Sequence, residues 1–538
     1  MAPGLQLSSP NSSEERIESR AVIERRPLGH SELSYFLPSR ADGVNDMYLH
    51  LGFRAPPSVV SPDRLAAVWA IQRARHPLLA ARIVSESVED VRFEYARAAS
   101  ATDAMNDAQH QMDVRTSTKD DLLDSYLNGP RLLSSDRTSY LIIAHDPASP
   151  DEHHFFLCAM HCIGDGMALH TCANEMLSFL GGKTDLEATL TETLGKNIQV
   201  PRSMEGSLPK FEGRWKESAA QIDEELLAKK QIGGQAFARV KNPIRKTVVP
   251  TVSFDEARTK KILSKCKTNG VSVSNAIFAL CNIAWARMVQ KKEGGAKLPS
   301  LFYTALNTRP WQDGLSKEES FFRLCIGYFN VWVIFITPLQ SQFEPFRSRI
   351  LPTFIPSTPA EVARTFWYRA RQVKIQSTKA VKSPFILGRT HRTAAKRSQQ
   401  SVVWAKIDDQ AAIENEKAKQ QPTGLPTPAP TPKTEIPALP LSASEPPKPK
   451  PAPSTALMGL SLLGNLDGMY KHAAYGEIKL HTLTTGSRQR AGAMLLFGYT
   501  FVGKLWLCFG YDQCGFPTGL VEGFWAELLA GVDEFLAA

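Results

Sequence analysis

The string His161-Cys162-Ile163-Gly164-Asp165-Gly166 places a histidine four residues before an aspartate, with a glycine on each side of that acid. It is reached through Glu152–His161 (EHHFFLCAMH), an apolar run short enough for a buried strand. A strand ending in a glycine-bounded turn can face a side chain into a cavity while its backbone stays fixed. An imidazole held there can work as a general base, because its ordinary pKa lies near neutrality. Asp165 carries a charge that needs a partner once buried, and Arg309 in LNTRPW is the candidate, since a guanidinium can grip a carboxylate. On this reading Asp165 shapes the turn and moves no proton. The competing reading is a histidine satisfied within the core, so the surrounding elements carry weight.

Those elements alternate. Ser61-Pro62-Asp63 opens a helix, with serine to cap, proline at the first turn and an acid at the positive end. Leu65, Val68, Trp69 and Gln72 share one face, and the helix stops before His76-Pro77. A second helix starts at Gly166. A third, Asn275–Gln290, is apolar around nearly its whole circumference and is expected at the centre of a core. Strands are expected at Leu301–Asn307, Tyr328–Ile336, Ala493–Phe501 and Leu505–Tyr511, with a last helix at Leu520–Phe535. The class is therefore α/β or α+β with mixed sheets.

The chain has 538 residues, 43% apolar and 22% charged, enough for a large core and unlike a coiled coil or a disordered chain. Its eight cysteines are scattered without any Cys-x-x-Cys, and the first twenty residues lack an apolar run. No integral membrane segment, no export and a cytoplasmic, soluble protein are expected. His153, His154, Cys158, His161, Cys162, His170 and Cys172 crowd together, which raises a metal site. Their spacing is not that of a zinc module, and along a strand they divide between two faces, so no metal is expected. No Gly-x-Ser-x-Gly elbow supports a serine hydrolase.

Two stretches stand apart. Residues 362–407 hold eleven basic residues and no acid: Arg364, Arg369, Arg371, Lys374, Lys379, Lys382, Arg389, Arg392, Lys396, Arg397 and Lys406. A nucleic-acid face, an acidic-lipid patch, a mouth for a phosphorylated small molecule and a plain solvated face all fit that charge. Phe366, Trp367 and Tyr368 interleave with it and no nucleic-acid motif accompanies it, so nucleic acid is not expected as a partner. Pro422–Pro453 holds 12 of the 36 prolines and reads as a stiff, solvated insertion.

Six segments in order resemble one family: Trp69–Ile83 (WAIQRARHPLLAARI), HCIGDG, Val271–Ala286, Leu306–Trp311 (LNTRPW), Leu462–Gly468 (LLGNLDG) and the closing RAGAMLLFGYTFVGKLWLCFGYD. They resemble the CoA-dependent acyltransferase superfamily, which includes plant-type alcohol acyltransferases, chloramphenicol acetyltransferase and peptide-synthetase condensation domains. Within it the spacing is most similar to the fungal alcohol O-acetyltransferases of the trichothecene type.

Residues 1–26, polar and charged, read as a disordered tail. The resemblance implies two chloramphenicol-acetyltransferase-like subdomains with a tunnel between them, here an N-terminal subdomain 27–235 and a C-terminal subdomain 236–538. It implies His161 as general base in mid-tunnel, with Asp165, Gly166 and Arg309 structural around it. It also implies an O-acyltransferase with acyl-CoA, acetyl-CoA first, as co-substrate, no permanently bound cofactor, a hydroxyl of a small lipophilic secondary metabolite as acceptor, and a monomer. CoA phosphates would then meet the basic stretch, with Arg364, Arg369, Arg371, Lys374, Lys379 and Lys382 as candidates. The alternative is a condensation-like or non-catalytic relative using a carrier-protein donor. The plant Asp-Phe-Gly-Trp-Gly string is absent, and Phe509–Pro517 (FGYDQCGFP) is the nearest feature, so the oxyanion-stabilising residue stays unassigned.

Overall fold

Alternating side chains on two long strands near the C-terminus divide the protein's interior in two. Phe497, Tyr499, Trp506 and Cys508 belong to one hydrophobic core, and Leu496, Leu505, Leu507 and Phe509 to the other. Period-2 alternation sends successive residues to opposite faces, so one sheet serves both cores. The computed structural model describes residues 23–210, 212–230, 233–290, 299–312, 319–333, 358–420 and 455–537. The proline-rich stretch Pro422–Pro453 lies outside the described residues, as do residues 1–22 of the expected tail.

The first part of the chain supplies β1 (Ile23–Pro27), β2 (Met47–Arg54), β3 (Arg82–Ser85), β4 (Val91–Ala96), β5 (Met112–Thr116), β6 (Ser139–His145) and β7 (Glu152–Ala159). The rest supplies β8 (Thr247–Val248), β9 (Thr251–Phe254), β10 (Ser300–Asn307), β11 (Ile326–Val333), β12 (Met458–Asn465), β13 (Lys479–Ser487), β14 (Met494–Phe501) and β15 (Lys504–Asp512). β1 corrects the expected tail: Ile23–Arg26 are paired with Ala96–Phe93 of β4. A small sheet runs β1-β4-β3.

A five-stranded sheet runs β13-β2-β7-β6-β5, parallel only between β5 and β6. A seven-stranded sheet runs β11-β10-β12-β14-β15-β8, with β9 also on β15, and is parallel at β10–β12 and β12–β14. The fold is thus two α/β subdomains with mixed sheets, the class read from the sequence. The boundary after residue 235 is not a clean cut, because β13 crosses back to complete the N-terminal sheet against β2.

The helix Val273–Gln290 contributes Ala276, Leu280, Ile283 and Trp285, among others, to the second core, as expected of a helix with no polar stripe. The helix Pro62–Arg75 starts after Ser61 as read, although the serine side chain makes no capping hydrogen bond. The basic stretch falls on two long helices, Pro359–Val381 and Ile386–Gln420. Val362, Phe366, Ala370 and Val373 of the first pack into the second core.

Candidate active site

β7 ends at Ala159, and the chain turns at once: the Met160 N–H donates to Thr138 O and the Ile163 N–H to Met160 O. His161 sits on this turn, half-buried. Its Nδ1 lies 3.0 Å from the carbonyl oxygen of Gly164. A carbonyl only accepts, so Nδ1 carries the hydrogen and Nε2 keeps its lone pair. The ring is stacked on Tyr35, with centroids 4.0 Å apart and planes 20° apart. Burial pushes the His161 pKa below its ordinary 6.5; Asp165 and the Gly164 carbonyl oppose this, and Arg397 adds to it. The imidazole is therefore neutral at neutral pH, the state a general base needs.

Gly164 is required by close approach: a Cβ there would stand 2.8 Å from Phe322 Cε1. Gly166 is not so constrained, since a Cβ there would meet Leu463 Cδ2 at an ordinary 3.7 Å.

Asp165, only 2% exposed, ties three segments together. Its Oδ1 accepts from the Ala168 N–H at 3.0 Å, capping the helix Gly166–Gly181. Its Oδ2 accepts from Arg309 Nη1 at 3.0 Å and from the Cys325 N–H at 2.8 Å. Arg309 is held in turn by Nη2 donating to the Arg323 carbonyl at 3.0 Å. Both carboxylate oxygens are thereby spent on structure, and the turn carrying His161 is tied to both ends of the connection between β10 and β11.

The other crowded groups are engaged elsewhere. His153 Nε2 pairs with the Ala55 carbonyl at 2.9 Å, His154 with His50 at 3.2 Å, and His170 with the Tyr470 hydroxyl at 2.8 Å. Cys158, Cys162 and Cys172 are buried free thiols whose pKa values burial pushes well up. Among the described residues no group of three or more His, Cys, Asp or Glu could hold a metal ion. At Phe509–Pro517, Asp512 accepts from the backbone N–H groups of Lys246 and Gly492, at 3.0 and 2.9 Å, and so ties loops together at the end of β15.

The basic stretch does not converge on His161. Arg369 corrects the sequence reading: it is 0% exposed, and Nη1 donates to Asn282 Oδ1 at 2.8 Å inside the second core. Burial lowers its pKa to about 9. Arg364 lies 3.8 Å from Glu361, and Lys374 donates to the Gly270 carbonyl at 2.6 Å. Arg371, Lys379 and Lys382 are exposed on the same helix, whose apolar side packs into the second core, away from the core that holds the His161 turn. Arg389 pairs with Asp223 at 3.2 Å, Arg392 and Lys396 with Glu224, and Lys406 with Glu89 at 2.6 Å.

Arg397 alone reaches the histidine's surroundings. Its Cζ lies 4.3 Å from the Tyr328 ring centre and 5.6 Å from that of Tyr35, and the two tyrosine hydroxyls are in hydrogen-bond contact. Sequence reasoning missed both tyrosines. The available signal was the row Ala394, Ser398, Ser401 and Ala405, small residues at helical spacing that let the helix lie close against Tyr35's own helix, His30–Ser39.

No protein-family model and no curated protein matches the chain. Solved structures do. The trichothecene 15-O-acetyltransferase of Fusarium sporotrichioides superposes with a TM-score of 0.67 at 12% identity, covering 96% of this chain and 95% of that one. The condensation domain of the monacolin K polyketide synthase superposes with a TM-score of 0.54 at 11% identity, covering 96% and 99%. Polyketide synthase associated protein 5 of Mycobacterium tuberculosis gives 0.52 at 11% identity, covering 94% and 97%.

The chain has the condensation and CoA-dependent acyltransferase fold. At such identities the likeness establishes architecture alone. Within the acyltransferase fold of this chain, His161 and its Asp165–Arg309 support lie where the two subdomains meet: Asp165 on the N-terminal side, Arg309 and Cys325 on the C-terminal side. Among the described residues no single helix is long and apolar enough to cross a membrane.

Proposed function

We propose that the protein is an acyl-CoA-dependent O-acyltransferase with His161 as general base, acting on a hydroxyl of a lipophilic secondary metabolite. The observation that carries this is the fixed tautomer of the half-buried histidine: Nδ1–H is spent on Gly164, and Nε2 is left unprotonated. Nε2 takes the proton of the acceptor hydroxyl as its oxygen bonds to the thioester carbon. The tetrahedral oxyanion then needs a hydrogen-bond donor. Its collapse breaks the C–S bond, and the imidazolium returns the proton to the CoA thiolate. No covalent acyl-enzyme is required when both substrates are held together. Acetyl-CoA as donor, a monomeric state and a cytoplasmic location belong to the same proposal.

A carrier-protein donor is the second reading, favoured by the likeness to a polyketide-synthase condensation domain. Calorimetric titration of the protein with CoA, acetyl-CoA and longer acyl-CoAs at two salt concentrations separates the two. Micromolar binding that weakens with salt supports the CoA donor. No binding to any CoA species moves the proposal to the carrier-protein donor.

A further inference from the structure

Arg397 differs from the other cations of its stretch. It is exposed, yet two tyrosine rings lie against its guanidinium. Tyr328 and Tyr35 present ring faces to it, and Tyr35 is stacked on the imidazole, so one tyrosine separates the cation from the base. Tyr303 adds a further wall: in the β10–β11 register Ala305 lies opposite Tyr328, and Tyr303 is the next residue on the same face of β10.

Ring faces attract a guanidinium but leave its in-plane N–H donors without acceptors. Among the described residues no hydrogen-bond acceptor or acid engages Arg397, whereas Arg309 has Asp165 and Arg369 has Asn282. Arg239 and Arg490, exposed and also without an acid among the described residues, act on Tyr303 together with Arg397. The three come from different segments of the chain, and among the described residues no acid pairs with any of them.

The geometry points to a carboxylate-binding site at Arg397, so that one substrate of His161 carries a carboxylate a short distance from the reacting carbon or hydroxyl. A planar guanidinium matches a carboxylate with paired hydrogen bonds. This rests on the acyltransferase reading above. The phosphates of CoA are excluded as the anion: they lie at the far end of the pantetheine arm, which is longer than the one-tyrosine gap between His161 and Arg397. The carboxylate can belong to the acceptor, a hydroxy acid, or to the acyl group of a dicarboxylic thioester.

The test is calorimetric titration of the full chain and of Arg397→Gln, with Lys260→Gln, an exposed residue outside the basic stretch, as surface control and thermal melting to verify folding. The probes are 8-hydroxyoctanoate and its methyl ester, and succinyl-CoA and acetyl-CoA. In the wild type and Lys260→Gln, one charged probe binds about ten- to a hundredfold tighter than its uncharged partner, and Arg397→Gln abolishes that preference. A preference for the hydroxy acid assigns the carboxylate to the acceptor, and a preference for succinyl-CoA assigns it to the acyl group. Equal binding within both pairs overturns the proposal, as does a folded Arg397→Gln that keeps the preference or loses acetyl-CoA. If neither thioester binds while the Arg397-dependent preference for the acid persists, the CoA reading fails and the anion site stands.

Discussion

The turn His161–Gly166 and the basic stretch 362–407 are the two segments whose residue types promise chemistry, and the fold treats them in opposite ways. In the turn, six consecutive residues fix their own geometry: Gly164 supplies a carbonyl for His161, and Asp165 caps the next helix and binds Arg309. In the basic stretch, two helices rotate successive side chains in all directions, so the cations scatter. Arg369 goes into the core, Lys396 and Lys406 to acids elsewhere on the surface, and Arg397 to the site. Charge density along a sequence is thus a poor guide to charge density in space. A short turn with its own hydrogen bonds is a good one.

The sharpest way to break this contrast is His161→Ala. Turnover should fall about a hundred- to ten-thousandfold in a steady-state assay while the melting temperature stays near that of the wild type. Next is the support beneath the histidine. Arg309→Ala leaves the buried Asp165 carboxylate without its cation and should cost about 3 kcal/mol in chemical denaturation. Undiminished stability would contradict the structural role of the pair. Arg369→Gln removes the buried cation that Asn282 satisfies and should also destabilise, by about 2 kcal/mol, without changing acetyl-CoA affinity in calorimetry.

The pH profile gives a smaller effect with a definite sign. His161 acts with Nε2 unprotonated, and its pKa is lowered, so kcat/KM should be level through neutrality. It should decline only as pH drops below 6.5. An acid limb with its midpoint above 6.5 would contradict the burial that lowers the pKa. Smallest of all, replacing the exposed Arg371, Lys379 and Lys382 by glutamine should change stability by under about 0.5 kcal/mol. A large loss of acyl-CoA affinity in that variant would restore the basic stretch to the donor site.

What was legible in the sequence follows the same division. The strand into His161, the helix from Gly166 and the apolar helix ending at Gln290 are set by local periodicity and turn residues, and they stand where the pattern placed them. The Asp165–Arg309 contact was reachable because a buried carboxylate demands a cation.

Three features were out of reach. Tyr35 and Tyr328 meet across 293 residues, and the row of small residues that lets Tyr35's helix approach its neighbour names neither ring. β13 returns to the N-terminal sheet although it follows strands of the other subdomain. Arg369 is buried because its helix packs that face on the second core, something charge alone argues against.

The central claim is that His161 does chemistry and not binding. It is tested most directly by measuring CoA thiol release from acetyl-CoA with a panel of alcohols, in wild type and His161→Ala, alongside the acetyl-CoA dissociation constant of each. The account predicts equal affinity for acetyl-CoA and near-complete loss of thiol release in the variant. A variant that binds acetyl-CoA normally and still releases thiol at a tenth or more of the wild-type rate would contradict it.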